Sequence, residues 1–434
     1  MQLEKDVLNI IMPENLLIGM MVQKHRHAFK LGKQTHDYYN FVLGQSPFHT
    51  PYILQDALAQ SVKENFYSPA KGISRLIEEV AAFNKRHFDL DLDINQIVVG
   101  TGTKMIMYML LRMLKGHFIV PAPAWIGYIP LLRFLNKSHE TLRLKASHNY
   151  KVTPEELDTT LSKTNDQTIF ILNNPHNPTG ALYSQTELKA LTQVLKKHNT
   201  IVISDEIYAL TTYHQKDFVS MAKIYPERTF VTNGISKDRS AAGYRLGTCI
   251  LPTEDTERLK DTYVKFASTL YTNVPTPIQH AAITAYQDHQ EIKDYMDTTR
   301  KIHTMAGRYF SKLASSIQNI HTSTPHGGFY FIIDFNNLKD KLNKKGINSA
   351  QDLTQALLKK PYYIALVTGD AIAIKEDDFI ARIAFVDYEG EKIFHHYQKE
   401  RPKTIQEENT FIETHMRHMI EGFNSLKQFI QDLD

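Results

Sequence analysis

A lysine closes the run Asn233-Gly234-Ile235-Ser236-Lys237, and Arg245 stands eight residues beyond it. The segment before it, Arg228-Thr229-Phe230-Val231-Thr232, has the composition of a short strand entering a buried position. A lysine at the end of a buried strand is expensive to desolvate, and it responds by lowering its pKa. That is one way a protein makes an amine nucleophilic near neutral pH, for instance to form a Schiff base with a carbonyl cofactor. Taken alone, Lys237 reads as an ordinary loop lysine; its company decides otherwise. The apolar run Thr168-Ile169-Phe170-Ile171-Leu172 leads into Asn173-Asn174-Pro175-His176-Asn177-Pro178-Thr179-Gly180. A second run, Thr200-Ile201-Val202-Ile203, leads into Ser204-Asp205-Glu206-Ile207-Tyr208. A third, Gln96-Ile97-Val98-Val99, is followed by Gly100-Thr101-Gly102-Thr103-Lys104 and an apolar helical pattern over 105–114. Strand, glycine turn and helix aim free backbone N–H groups at a phosphate, although a plain turn looks the same and no full nucleotide fingerprint is present. Trp125, the single tryptophan, follows the strand-like His117-Phe118-Ile119-Val120. That position is where α/β folds bind ligands, with core filling as its alternative.

The elements that must carry these residues alternate between strand and helix from about residue 95. Thr153-Pro154-Glu155-Glu156 and Ser184-Gln185-Thr186-Glu187 match helix-starting capping boxes, with Pro154 at the first helical position. Leu188, Leu191 and Leu195 then share one helical face. Continuous apolar strands between such helices predict a doubly wound α/β domain. Tyr244 to Leu251 reads as one further strand. Beyond residue 325 the pattern changes: His326-Gly327-Gly328-Phe329-Tyr330-Phe331-Ile332-Ile333-Asp334 and Ala381-Arg382-Ile383-Ala384-Phe385 alternate like antiparallel strands of an α+β domain. Residues 389–408 read as a polar, charged insertion before a last helix ending at Asp434. Residues 1–40 read as one or two helices, with Lys24-His25-Arg26-His27 on a solvated face. Two glycine-bearing loops, one from Phe41 to Pro51 and one from Asn65 to Gly72, stand where backbone can approach a ligand.

With 50 basic and 47 acidic residues, no field draws the whole molecule to nucleic acid or membrane. The single cysteine, Cys249, rules out an intrachain disulfide and suits a reducing compartment. The first residues lack a signal-peptide pattern and no apolar run is long enough to span a bilayer, so a cytoplasmic protein is expected.

In this order the motifs resemble those of fold-type I pyridoxal-phosphate enzymes of the class I/II, aspartate aminotransferase-like family, over nearly the whole chain. The residues carrying the resemblance are Asn174 to Gly180, Asp205-Glu206-Ile207-Tyr208, and Ser236-Lys237 with Arg245, supported by Gly327-Gly328-Phe329-Tyr330 and Arg382-Ile383-Ala384-Phe385. The resemblance implies a three-layer large domain with a mostly parallel central sheet over 52–324. It also implies a smaller α+β domain built from 1–51 and 325–434. The implied activity is transfer of an amino group from an α-amino acid to an α-keto acid, in alternating half-reactions, within amino-acid metabolism and biosynthesis. Lys237 would hold pyridoxal 5'-phosphate covalently and, once displaced by substrate, shuttle a proton. Asp205 would keep the pyridine nitrogen protonated. Tyr208 and Asn177 would bond the ring's phenolic oxygen, and Trp125 would stack on the ring face. Gly102, the backbone of Thr103 and Lys104, Ser236 and Arg245 would hold the phosphate. Arg382 would pair with the substrate carboxylate, approached also by Gly44, with Trp125 and Asn177 lining the substrate side. Tyr67 matches a family position that reaches the neighbouring subunit's phosphate, which implies a homodimer with shared sites.

The chain departs from the family in three places. Gly234 stands where relatives often carry a phosphate-binding serine. The segment Ser268-Thr269-Leu270-Tyr271-Thr272-Asn273 lacks the second arginine of dicarboxylate-specific members, so a preference for aspartate is not expected. Arg239, two residues after the lysine, has no evident role. A C–S lyase or other eliminating enzyme would use the same residues, and keto-acid-independent release of ammonia and pyruvate would mark it. A non-catalytic cofactor-binding regulator would carry an added DNA-binding domain, for which residues 1–40 are too short. His415 and His418 could face one way on the last helix, but with no third ligand nearby no metal site is expected.

Overall fold

A computed structural model describes residues 2–3, 5–8, 10, 12 and 14–434. Its strands, in chain order, are β1 (Tyr39–Asn40), β2 (Ile97–Gly100), β3 (His117–Ala122), β4 (His139–Arg143), β5 (Thr168–Asn173), β6 (Ile201–Asp205) and β7 (Thr229–Gly234). They continue as β8 (Gly247–Ile250), β9 (His321–Thr322), β10 (Tyr330–Asp334), β11 (Ile364–Ala365), β12 (Val367–Thr368) and β13 (Ile380–Ala384).

The large sheet has the order β2-β8-β7-β6-β5-β3-β4. Only β8 opposes its neighbours; the other pairings are parallel. The continuous apolar runs exist because both faces of this sheet are covered. On β5, Ile169 and Ile171 pack with Ile106 and Leu110 of the helix Thr103–Met113 in one cluster. Phe170 and Leu172 pack with Leu188, Leu191 and Leu195 of the helix Gln185–Lys197 in another. Alternate residues of one strand therefore serve two helical layers, and each large apolar side chain so buried stabilises the fold by about 1.5–3 kcal/mol. Both expected capping boxes form: Thr153 and Ser184 accept from the N–H of Glu156 and Glu187, whose carboxylates accept in return from the cap N–H groups. Because β8 is reversed relative to both β2 and β7, the C-terminal ends of β2, β3, β5, β6 and β7 all reach the same edge.

The second sheet, β12-β13-β10-β9, is antiparallel as the alternating pattern predicts. Its two long strands are nevertheless buried almost throughout, not on one face only. The N-terminal segment contributes to this covering: β1 pairs in parallel with β11. Arg26, expected on a solvated helix face, is instead half-buried and bonds Asp37 and both oxygens of Asp387. Lys24 and His27 are exposed as expected.

One other expectation is corrected. Tyr244 to Leu251 is not one strand, because Tyr244 closes a 3-10 turn and Arg245 has φ +52°, a conformation no strand holds; β8 begins only at Gly247. The polar, charged stretch 389–408 is largely helical. It forms the helix Gly390–Glu400 and opens the helix Ile405–His415, capped by Thr404 and Glu407. Buried Met416, with non-helical φ and ψ, separates this from the final helix Arg417–Gln431. Among the described residues, no helix is long and apolar enough to cross a membrane.

Candidate active site

β7 is paired with β6 as far as Thr232 and with β8 up to Gly234, which faces Gly247. A Cβ at 234 would lie 2.8 Å from the Leu246 carbonyl oxygen and 3.1 Å from the Gly247 Cα. The serine often found at this position therefore has no room here. Three residues later the chain delivers Lys237, whose Nζ donates to the Gly44 carbonyl oxygen at 2.8 Å and lies over the Tyr208 and Phe329 rings. Burial, then the Arg382 charge and that of Arg245, lower its pKa to about 8, against the opposing pull of Asp205.

Asp205 ends β6 and is buried. Its Oδ2 accepts from the Tyr128 hydroxyl at 2.7 Å, and its Oδ1 from the Thr232 hydroxyl at 3.3 Å and the Ile207 N–H at 3.4 Å. Burial raises the carboxyl's pKa, and these donors, with Lys237, draw it back. Tyr128 and Thr232 were not singled out from the sequence; their only signal is that each lies at or beyond a strand end. Tyr208 meets the Tyr330 hydroxyl at 3.0 Å, and Tyr330 also donates to Gly44 O at 3.1 Å. Burial pushes the Tyr208 phenol well above its ordinary pKa, so it stays a neutral donor. The turn after β5 is held by Asn173, whose Oδ1 accepts from the Asn177 N–H at 2.6 Å. That leaves Asn177 Oδ1 buried without a partner.

Arg382, on β13, is 3% exposed. One guanidinium nitrogen donates to the Val42 carbonyl oxygen, the group lies 4.9 Å from the Tyr330 ring centre, and Nε is buried and unpaired. On the other side, Gly102 is the N-cap of the helix Thr103–Met113; Met105 N–H turns back to the Gly102 carbonyl oxygen, and the N–H groups of Thr103 and Lys104 stand at the helix start, where no preceding turn supplies an acceptor. A Cβ on Gly102 would run into the Arg245 guanidinium. Trp125 packs edge-on to Tyr128 at 5.0 Å and so neighbours Asp205. Ser236 is buried beside Lys237 in the chain.

Tyr67 stands apart. It is 89% exposed, as Phe66 is 81%, and it bonds none of the residues gathered around Lys237 among those described. Arg239, for which the sequence suggested no role, is a structural pin. It is 1% exposed, bonds Asp238, Gly234 O and Ala285 O, and lies 4.7 Å from both the Phe83 and Tyr286 ring centres. His415 and His418 do not meet: His418 bonds Tyr38 O and Asp387, while His415 turns to His396 and Glu400. A cleft of about 720 Å³ opens beside them, and none of the residues around Lys237 lines it.

The family model for aminotransferase class I and II matches residues 40–387. An asparagine–oxo-acid transaminase of Streptococcus mutans is 30% identical over 359 residues, which cover 81% of this chain and 88% of that protein. An aspartate aminotransferase of Bacillus subtilis is 28% identical over 360 residues, with the same two coverages. Among solved structures, the aspartate aminotransferase from Thermus thermophilus with maleate superimposes with a TM-score of 0.77 at 19% identity. It covers 97% of this chain and 100% of that one, a likeness of fold.

Proposed function

Because the chain belongs to the class I and II aminotransferases, a pyridoxal-phosphate-dependent family, it is an amino-acid aminotransferase, and we propose that it works at the edge where Lys237 meets Asp205 and Arg382. The observation that carries this is the buried Lys237 amine, lowered to about 8 between those two opposite charges. Pyridoxal phosphate fits the residues present. Asn177 is a buried amide whose Oδ1 lacks a partner and whose NH2 is the kind of donor a phenolic oxygen takes, and Gly102 leaves open a cradle beside Arg245 that any Cβ would fill. When bound, the group supplies an electrophilic carbonyl and a ring able to accept electrons from the substrate's Cα.

The chain's own residues do the rest. Lys237 Nζ is the amine that would hold the group covalently, and as a free base it would be placed to accept and hand back the Cα proton of the amino acid. Gly44 O, 2.8 Å away, orients that amine. Asp205, steadied by Tyr128 and Thr232, would hold a proton on the ring nitrogen by charge. Tyr208, kept neutral, would be a hydrogen-bond donor to the ring's phenolic oxygen, and Asn177 would support it. Arg245 and the helix start at Thr103–Lys104 would hold the phosphate, the one as a fork and the other through its N–H groups. Mixing the holoenzyme with single amino acids should convert its absorption to that of the amine form of the cofactor. No conversion with any amino acid would overturn the assignment of this site.

Arg382 is the fork for the substrate α-carboxylate. Its unpaired Nε leaves donor capacity in a buried place, and losing one partner of such a charge pair costs about 2–5 kcal/mol. Arg382→Ala should therefore lower kcat/KM for α-amino acids by roughly 30- to 5,000-fold while cofactor content stays unchanged. Equal turnover of amines without a carboxylate by the parent enzyme would contradict this role.

We also propose a cytoplasmic homodimer with shared sites. Tyr52, Val62, Phe66 and Tyr67 form an exposed apolar group on and beside the helix Tyr52–Ser61, as a surface awaiting a second copy would. In an isologous dimer each subunit lends Tyr67 to the other's site. Lys237→Ala and a disruptive Tyr67 substitution should then complement on subunit exchange, restoring up to about half of wild-type activity per mixed dimer. Mixed dimers without recovery would place Tyr67 in its own subunit's site.

A further inference from the structure

The polar stretch after residue 388 lies beyond the residues matched by the family model, 40–387. Its side chains have no part in the site around Lys237. His396 and Glu400 are four residues apart on the helix Gly390–Glu400 and so share one face. The helix Ile405–His415 returns alongside and presents His415 from its last turn to that face. Glu400 Oε1 lies 2.8 Å from His415 Nε2 and 3.6 Å from His396 Nδ1. One ligand atom from each of the three residues falls within 4.8 Å of the other two. The imidazole rings are stacked at 4.1 Å and 25°, so both present nitrogens to the same carboxylate. Phe411, 4.7 Å from the His415 ring centre, backs that ring from its own helix.

We propose that His396, Glu400 and His415 form a site for one divalent transition-metal ion, zinc in the first place. Two imidazoles and one carboxylate are a ligand set that borderline cations take, with water completing a tetrahedron. Ligand atoms around such an ion lie roughly 3.3 Å apart, as follows from metal–ligand distances of about 2.0–2.2 Å. The 2.8 and 3.6 Å separations from Glu400 bracket that value, all three ligand atoms lie within 4.8 Å, and the two stacked rings would turn their nitrogens toward the ion on binding it. Charge fits as well: among the described residues, no lysine or arginine pairs with Glu400, whose ionic partners are these two histidines. His415 is shielded, its side chain 14% exposed, while Glu400 opens to solvent and gives the ion an entry path.

The ion would tie the end of one helix to the next across the connection 401–404. At its other end the helix Gly390–Glu400 packs on the Gly44 to Phe48 loop. A Cβ on Gly390 would collide with Pro47 backbone, and Phe394 meets Phe48 and Tyr295. The metal thus braces from behind the loop whose Gly44 oxygen holds Lys237.

The test is zinc titration of metal-stripped holoenzyme against a chromophoric chelator, run on wild type and on His396→Gln, Glu400→Gln and His415→Gln. Wild type should bind one more equivalent per chain than each variant, or bind it at least about tenfold more tightly. Zinc should raise the thermal midpoint of wild type and leave that of the variants where it was. Without metal all four proteins should be equally active, since none of the three residues touches the reacting groups. Cobalt substitution should give the visible absorption of a tetrahedral site in wild type only. Wild type binding no zinc, or any one variant matching its stoichiometry and affinity, would overturn the proposal.

Discussion

Lys237→Ala should lower transamination by on the order of 10⁴-fold or more. Acid–base transfer by one positioned side chain already supplies 10²–10⁴-fold, and this residue also makes the covalent tether. The variant should still fold and retain cofactor more weakly, through its non-covalent contacts alone. Single-turnover rates with an amino acid would measure the loss, and a fall of less than about tenfold would remove Lys237 from the chemistry. The same lysine sets a pH dependence. Only the neutral amine attacks a carbonyl, so capture of cofactor by the apoenzyme should rise with pH about a midpoint near 8, not near 10.5. Arg382→Ala should move that midpoint upward, because a like charge that disfavours protonation is gone. Stability follows the same sign. Between about pH 8 and 10.5 the unfolded chain binds a proton that the folded chain does not, so this group adds stability as pH rises through that window. Below about pH 8 both states are protonated and the folded state bears the full cost of the buried charge.

Arg239→Ala should cost about 3–5 kcal/mol of folding stability, read as a shift in the urea midpoint, because it leaves Asp238 buried without its partner. The guanidinium also bridges Gly234 O, before Lys237, to Ala285 O of the helix Thr276–Tyr286, and fills the space between Phe83 and Tyr286. Arg239→Lys should not restore stability: an ammonium has no planar fork to span three acceptors and lie between two rings. Adding Asp238→Ala to Arg239→Ala should recover part of the loss, and the double-mutant cycle measures the pair. Strict additivity of the two changes would mean the ion pair contributes nothing. Burial raises the Asp238 carboxyl's pKa, and Arg239 is what opposes it.

By itself the sequence determined the large sheet and the chemistry at its edge. Continuous apolar runs such as Thr168 to Leu172 stand between capped helices, and that local pattern survives folding because each strand is covered on both faces. Asn177, Asp205, Tyr208 and Lys237 were legible for the same reason. Each sits within four residues of the end of a strand or follows it directly, so once parallel strands end at one edge their loops must meet there. What only the tertiary structure decided involves partners far apart in the chain. Tyr128 reaches Asp205 across 77 residues, Tyr330 reaches Gly44 across 286, and Arg26 reaches Asp387 across 361. Arg239 is equally opaque in sequence, since a buried cation looks like a surface one until Phe83, Tyr286 and Asp238 close around it. In the stretch 389–408 polar faces dominate the sequence pattern. Its helices exist because Ile393, Phe411 and Ile412 are buried against the rest of the chain, and burial is a property of the neighbours as much as of the segment.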